Sequence, residues 1–122
     1  MKKAIARIAR RYGLDAVVLF GSRARGDAAP DSDLDLCVSA PRLGSRELAL
    51  IEDLADATRA DVDVCIFERI GPSLAGCVAR EGVLLYGSRK TFDRLRAYAL
   101  LRWQDSQGYI SAAGRALDRF VG

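Results

Sequence analysis

Hydrophobic positions along the chain follow two periods. Ile5, Ile8, Ala9 and Tyr12 recur at i, i+3, i+4 and i+7, which predicts a helix over Ala4–Tyr12 with Gly13 as its stop. "DAVVLF", Asp15–Phe20, is a short valine-rich run and predicts a buried strand. "GDAAPDS", Gly26–Ser32, is turn chemistry. "DLDLCVS", Asp33–Ser39, alternates: Leu34, Leu36 and Val38 face one way, Asp33, Asp35 and Cys37 the other. Ser45 is placed to cap a helix over about Arg46–Arg59, with Leu48, Ile51, Leu54 and Ala55 on its buried stripe. "DVDVCIF", Asp61–Phe67, alternates again as a third strand. Pro72 opens a short helix through Arg80, Gly82 ends it, and "VLLYG", Val83–Gly87, is a fourth strand. From about Thr91 the chain reads as helix. Phe92, Leu95, Ala99 and Trp103 form one stripe, Gly108 is a point of interruption, and Ile110, Ala113, Leu117 and Phe120 form a second stripe.

This order predicts one α/β (α+β) domain over residues 1–122: a small sheet of about four strands flanked by helices, with a helical C-terminus. The core is expected over residues 10–105 and a helical tail over 106–122. Ten residues separate Ser22 from Asp33. That is short for a helical parallel crossover, so a mixed sheet is expected.

Composition narrows the chemistry. Half of the residues are hydrophobic and 29% are charged, a soluble globular balance. No apolar run approaches the ~20 residues of a membrane span. The start, "MKKAIARIARRY", lacks the apolar core of a signal peptide, so a cytoplasmic location and no membrane partner are expected. The net charge is +3 and most of the basic residues are arginine, which read in bulk as a solvated surface. The three cysteines, Cys37, Cys65 and Cys77, show no zinc-ligand spacing and are expected as buried reduced thiols. There is no histidine. This excludes a histidine base, a Ser-His-Asp triad and an imidazole metal site. Catalysis by this chain has to rest on carboxylates, cations, hydroxyls or bound metal.

Against that background Asp33 and Asp35 stand out, because acids are among the poorest strand formers. At i and i+2 they point to one face, about 6–7 Å apart at the backbone. Two adjacent anions repel unless a cation lies between them, and a hard divalent ion such as Mg²⁺ takes one or two carboxylates plus water and phosphate oxygens. Gly21 and Ser22 lie where the first strand leaves the sheet. Gly21 lets a phosphate approach the backbone, and the N–H groups of Ser22 and Arg23 would open the turn that follows. "GSRARGDA" lacks the Lys-Ser/Thr of a P-loop, and no G-x-G-x-x-G occurs. Arg23 and Arg25 follow the turn as cations able to reach a triphosphate or a partner. Arg42 is a more distant option.

Gly21-Ser22, ten residues, then Asp33-Leu34-Asp35 resembles the GSx10DxD pattern of the DNA polymerase β-like nucleotidyltransferases. The small size, and "VDVCIFERIGPSLAGCVAREGVLLYG" from Val62 to Gly87, is similar to the minimal nucleotidyltransferases that form the antitoxin half of HEPN–MNT toxin–antitoxin pairs. The resemblance covers roughly residues 10–105. In that family a third carboxylate lies on the next strand. Asp61 and Asp63 share a face by alternation, and Val62-Asp63-Val64 matches the family's Val-Asp-hydrophobic pattern, so Asp63 is assigned and Asp61 kept as the alternative.

The resemblance implies a polymerase β-like fold and transfer of AMP from ATP to a hydroxyl. Asp33, Asp35 and Asp63 would act as catalytic residues and as ligands of Mg²⁺, two ions in all. Gly21, Ser22, Arg23 and Arg25 would bind the nucleotide. The implied acceptor is a tyrosine of a HEPN RNase toxin. No further domain is visible to hold an acceptor or a template, so a protein partner is expected and direct nucleic-acid binding is not. The stripe of Leu101, Trp103, Ile110, Leu117 and Phe120 is a candidate docking surface. Two alternatives stand beside this reading: an antitoxin that neutralises by contact with an inactive nucleotide site, and a small-molecule nucleotidyltransferase.

Overall fold

The computed structural model describes residues 1–27 and 32–121, with side chains through Gln107. Chain order is α1 (Lys2–Tyr12), β1 (Ala16–Phe20), α2 (Ser22–Arg25), β2 (Leu34–Ser39), α3 (Glu47–Thr58), β3 (Val62–Ile66), a 3-10 turn (Phe67–Arg69), α4 (Pro72–Glu81), β4 (Val83–Tyr86) and α5 (Arg89–Val121). The strands form one sheet in the order β3-β2-β1-β4. β1 pairs antiparallel with β2 and with β4, and β2 pairs parallel with β3. The sheet is mixed, as the short Ser22–Asp33 connection predicts.

Both faces of the sheet are covered. On one side α1 and α3 pack Ile5, Ile8, Leu50 and Leu54 against Val17, Leu19, Leu34, Leu36 and Val38. On the other, α4 and α5 pack Ala75, Val78, Phe92 and Leu95 against Val18, Phe20 and Cys37. β1 is therefore buried at all five positions, which explains why its sequence is continuously apolar. β2 has apolar residues on both faces and carries its one acid, Asp35, near its N-terminal end. Gly13 closes α1 in the left-handed conformation, φ 65°, with its N–H on the Ala9 and Arg10 carbonyls.

Three local expectations are corrected. Ser45 does not cap α3: the helix starts at Glu47, and the cap position is Arg46, whose backbone N–H and Nε both donate to the Leu43 carbonyl. The buried pair on α3 is Leu50 and Leu54, whereas Leu48 is 68% exposed. The apolar residues of α3 are compatible with more than one face, and α1 selects one: Tyr12 donates its hydroxyl proton to Asp53 and fixes the helix rotation. Finally, α5 runs through Gly108 without a break. A single glycine costs only about 1 kcal/mol relative to alanine inside a helix.

Cys37 is buried, Cys65 and Cys77 are half-buried, and all three are free. Cys37 faces Cys65 across the β2–β3 ladder. Its hydrogen bond to Cys65, together with burial, pushes the Cys37 thiol up and keeps it protonated. Of the proposed docking stripe, Leu101 is exposed, while Trp103 packs over Gly76 of α4 with the Arg80 guanidinium 5.1 Å from its ring centroid. The side chains of Ile110, Leu117 and Phe120 lie outside the described ones. No helix among the described residues is long and apolar enough to cross a membrane.

Leu54→Ala is expected to destabilise the fold by about 2–5 kcal/mol, and Leu48→Ala by no more than about 0.5 kcal/mol. Urea denaturation of the two variants measures the difference, and equal losses would contradict the observed helix rotation.

Candidate active site

Strand directions gather the site. Because β2 and β4 run antiparallel to β1, the C-terminal end of β1 lies beside the N-terminal ends of β2 and β4. β3, parallel to β2, starts at the same edge. Gly21, the Asp33–Asp35 segment, Asp63 and the end of α4 therefore converge, although up to sixty residues separate them in sequence. Asp35 is the centre. It pairs with Phe20 on β1 and with Asp63 on β3. Asp33 lies just ahead of β2 and is exposed, as is Asp63, whereas Asp35 is half-buried.

The glycine before α2 is required sterically. Gly21 has φ 79° and ψ −160°, a conformation disfavoured for any residue with a Cβ. A Cβ there would overlap Oδ2 of Asp35 and lie 3.1 Å from its Cγ. The Gly21 carbonyl accepts the N–H groups of Ala24 and Arg25, which starts the single turn of α2 directly above Asp35. Gly26, φ 81°, ends that turn.

The surroundings of Asp35 disfavour its charged form relative to water. Burial pushes its carboxyl up, and the neighbouring charges of Asp63, Asp33 and Glu81 push it further, while Arg25 draws it down. Among the described residues, the site is thus rich in oxygen anions, with Arg25 offsetting them at Asp35. Among the described residues, no three acid or thiol side chains close around one point. The donor set is nonetheless a hard-oxygen one, and the raised carboxyl of Asp35 reflects burial first and the neighbouring anions Asp63 and Asp33 second. Both fit a divalent ion that takes one or two carboxylates and fills its shell with water and phosphate.

The remaining residues separate by position. Arg23 donates from Nε and Nη2 to the Ser32 carbonyl, at 2.9 and 2.6 Å, and so ties α2 to the residue before Asp33. Arg25 donates to Asp27 and, at 2.9 Å, to Glu81. Arg42 is not at the site: it donates to the Gly13 carbonyl and to Asp15, at the opposite end of β1, because the residues after an antiparallel β2 return to the start of β1. Asp61 precedes β3 and lines an open cavity of about 430 Å³ with Arg23, Ser32 and Arg59. Only Asp63 shares the rung with Asp35.

Glu81 was not singled out by the sequence patterns. It is the last residue of α4, and its carboxylate accepts the Gly21 N–H at 2.9 Å. The available signal was an acid in the final turn of a helix, where the macrodipole disfavours it.

Asp35→Asn is expected to raise the melting temperature of the metal-free chain by a few degrees at neutral pH. The sign follows from the raised carboxyl: Asp35 adds no penalty below about pH 4, and its penalty grows as pH rises through its elevated value. The gain from Asn should therefore be absent in acid and present at pH 7. Thermal melts at both pH values test this, and a pH-independent gain would refute it.

Comparison with known proteins now bears on this geometry. A crystal structure of a toxin–antitoxin with AMP-PNP is similar with a TM-score of 0.78 and 24% identity, over 99% of this chain and 98% of that one. A structure of the tri-AMPylated Shewanella oneidensis HEPN toxin in complex with MNT antitoxin gives a TM-score of 0.72 at 22% identity, over 99% and 96%. A protein described as a minimal nucleotidyltransferase gives 0.59 at 32% identity, over 67% of this chain and 86% of that one. No curated protein matches. The family profile "Polymerase beta, Nucleotidyltransferase" matches residues 3–91, most of the chain, and the protein belongs to that nucleotidyltransferase family.

Proposed function

We propose that the chain transfers AMP from ATP to a hydroxyl, that of a tyrosine, on a HEPN-type toxin and thereby neutralises it. The observation that carries this reading is the Asp35–Asp63 rung beside Gly21 and Ser22, at the open end of the sheet. Support for the nucleotide and the acceptor comes from the similar structures, one with AMP-PNP and one holding an AMPylated HEPN toxin with its MNT antitoxin.

In this scheme Gly21 offers backbone without side-chain bulk, and Ser22 adds a hydroxyl, so the two take the β- and γ-phosphates. Arg25 contributes positive charge. Arg23 holds the connection to Ser32 closed and so fixes where Asp33 stands. Asp33, Asp35 and Asp63 would hold Mg²⁺, which when bound neutralises the triphosphate and lowers the pKa of the acceptor hydroxyl. The acceptor oxygen attacks the α-phosphorus, the bond to the bridging oxygen breaks, and pyrophosphate leaves with the electron pair. Asp63, exposed at the strand edge, takes the acceptor's proton. With no histidine in the chain, a carboxylate is the base the site offers.

Exposure favours a macromolecular acceptor. Asp33 and Asp63 are exposed, and the neighbouring cavity is an open one, unlike the enclosing pockets that bury a small molecule. A protein surface that brings its own hydroxyl and excludes water by contact matches such a site.

Asp63→Asn should lower transfer by about 10²–10⁴-fold, the range for losing a general base. Asp33→Asn and Asp35→Asn should abolish it. Asp61→Asn should leave it nearly unchanged. The readout is the intact mass of a cognate HEPN toxin after incubation with the chain, ATP and Mg²⁺, counted in whole AMP units. Full transfer by Asp35→Asn would refute the reading. Neutralisation of the toxin without any mass gain would favour the contact-only antitoxin.

A further inference from the structure

Glu81 breaks two local rules. A carboxylate in the last turn of α4 faces the negative end of the helix dipole. It also stands close enough to Asp35 to push that carboxyl up, adding a further anion to a cluster already short of positive charge. Residues that break local rules without a gain in packing are the ones expected to serve a site. What Glu81 gains is specific. One oxygen, Oε2, accepts the Gly21 N–H at 2.9 Å, and the other, Oε1, accepts Arg25 Nη1 at 2.9 Å. Its side chain is only 18% exposed.

The support behind Glu81 is rigid. A Cβ on Gly82 would lie 2.5 Å from the Val78 carbonyl oxygen and 2.8 Å from Val18, so the end of α4 is pressed onto β1 at Val18, shortly before Gly21. The Gly21 peptide is thereby gripped from two sides: Asp35 fills the space where a Cβ would be, and Glu81 holds the N–H. A charge-assisted bond of this kind is stronger than a neutral one and fixes the orientation of the peptide plane. The same carboxylate holds the Arg25 guanidinium, whose charge draws the Asp35 carboxyl down.

We infer that Glu81 is a positioning residue for the nucleotide: through the Gly21 N–H and Arg25 it sets the glycine-serine turn in the geometry that receives the triphosphate of a nucleoside triphosphate. The inference rests on the transferase reading above. It assigns Glu81 no contact with substrate. Its effect passes through Gly21 and Arg25.

Binding of AMP-PNP with Mg²⁺ to the full chain, followed by titration calorimetry, separates positioning from folding. A merely structural role would lower the fraction of competent protein, and so the stoichiometry, with Kd unchanged. A positioning role raises Kd with stoichiometry near wild type. Glu81→Ala should raise Kd by about tenfold or more, the scale of losing one supporting interaction behind a site. Glu81→Gln keeps an acceptor for the Gly21 N–H and should recover part of that loss. Glu81→Ala and Arg25→Ala should combine to less than the product of their single effects, because they remove one shared network. An unchanged Kd in Glu81→Ala, with wild type binding normally, overturns the role of Glu81 alone. A wild-type chain that binds no nucleotide overturns the transferase reading, and this inference with it.

Discussion

The approach of the Asp35 carboxylate to the Cα of Gly21 governs the rest of the site. No side chain fits between them. This contact makes glycine obligatory at the end of β1, and the backbone of Gly21 then adopts a conformation that turns the chain directly into α2. It also sets the register of β1 against β2, because a slip of one residue would move Asp35 to the leucine face and bring Leu34 or Leu36 to the glycine. The apolar core enforces the same register independently: Leu34, Leu36 and Val38 are all fully buried against α1 and α3. Core and site thus specify a single pairing, each excluding the errors the other leaves open.

Much of this was legible in the sequence because it is local. The alternation in Asp33–Ser39 fixes which side chains share a face, and the spacing from Gly21 to Asp33 limits the connection to one helical turn and a loop. What was not legible depends on partners distant in sequence. Asp61 and Asp63 look equivalent by alternation, and only the resemblance of Val62-Asp63-Val64 favoured Asp63; the start of β3 at Val62 and the rung with Asp35 separate their positions in space. Leu48 sits in a stripe of correct period, yet α1 packs against Leu50 and Leu54 instead. Glu81 is the clearest case. Its meaning comes from a hydrogen bond to a residue sixty positions earlier, and no periodicity encodes that.

The electrostatics describe an anion-rich site that the proposed divalent ions would relieve. Asp35 is surrounded by Asp63, Asp33 and Glu81, and Arg25 is the cation that offsets them. Such a cluster lowers the stability of the metal-free chain, and the surrounding core has to sustain it. β1 and β2 supply that core, with Val17, Val18, Leu36, Cys37 and Val38 wholly inaccessible to solvent. The carboxylates stand where these strands end, on a rigid base rather than on a flexible loop, and rigidity is what holds like charges at a spacing they would otherwise leave.

Exposure is graded across the rung, and the gradient fits the roles proposed for its two acids. Asp35 is half-buried between Phe20 and Asp63, where desolvation strengthens its hold on a cation and where the turn of α2 can present phosphate. Asp63 is on the edge strand and exposed, the position from which a carboxylate can meet a hydroxyl arriving from outside. A transferase that enclosed both ends would need walls that this fold does not raise around β3 in the described residues. Leaving the acceptor side open transfers the task of excluding water to whatever surface docks there, which ties the efficiency of the chemistry to the fit of the partner. In the proposed transfer, a poorly fitting protein would admit water to the α-phosphorus and lose the nucleotide to hydrolysis, so selectivity for the acceptor would follow from the openness of the site itself.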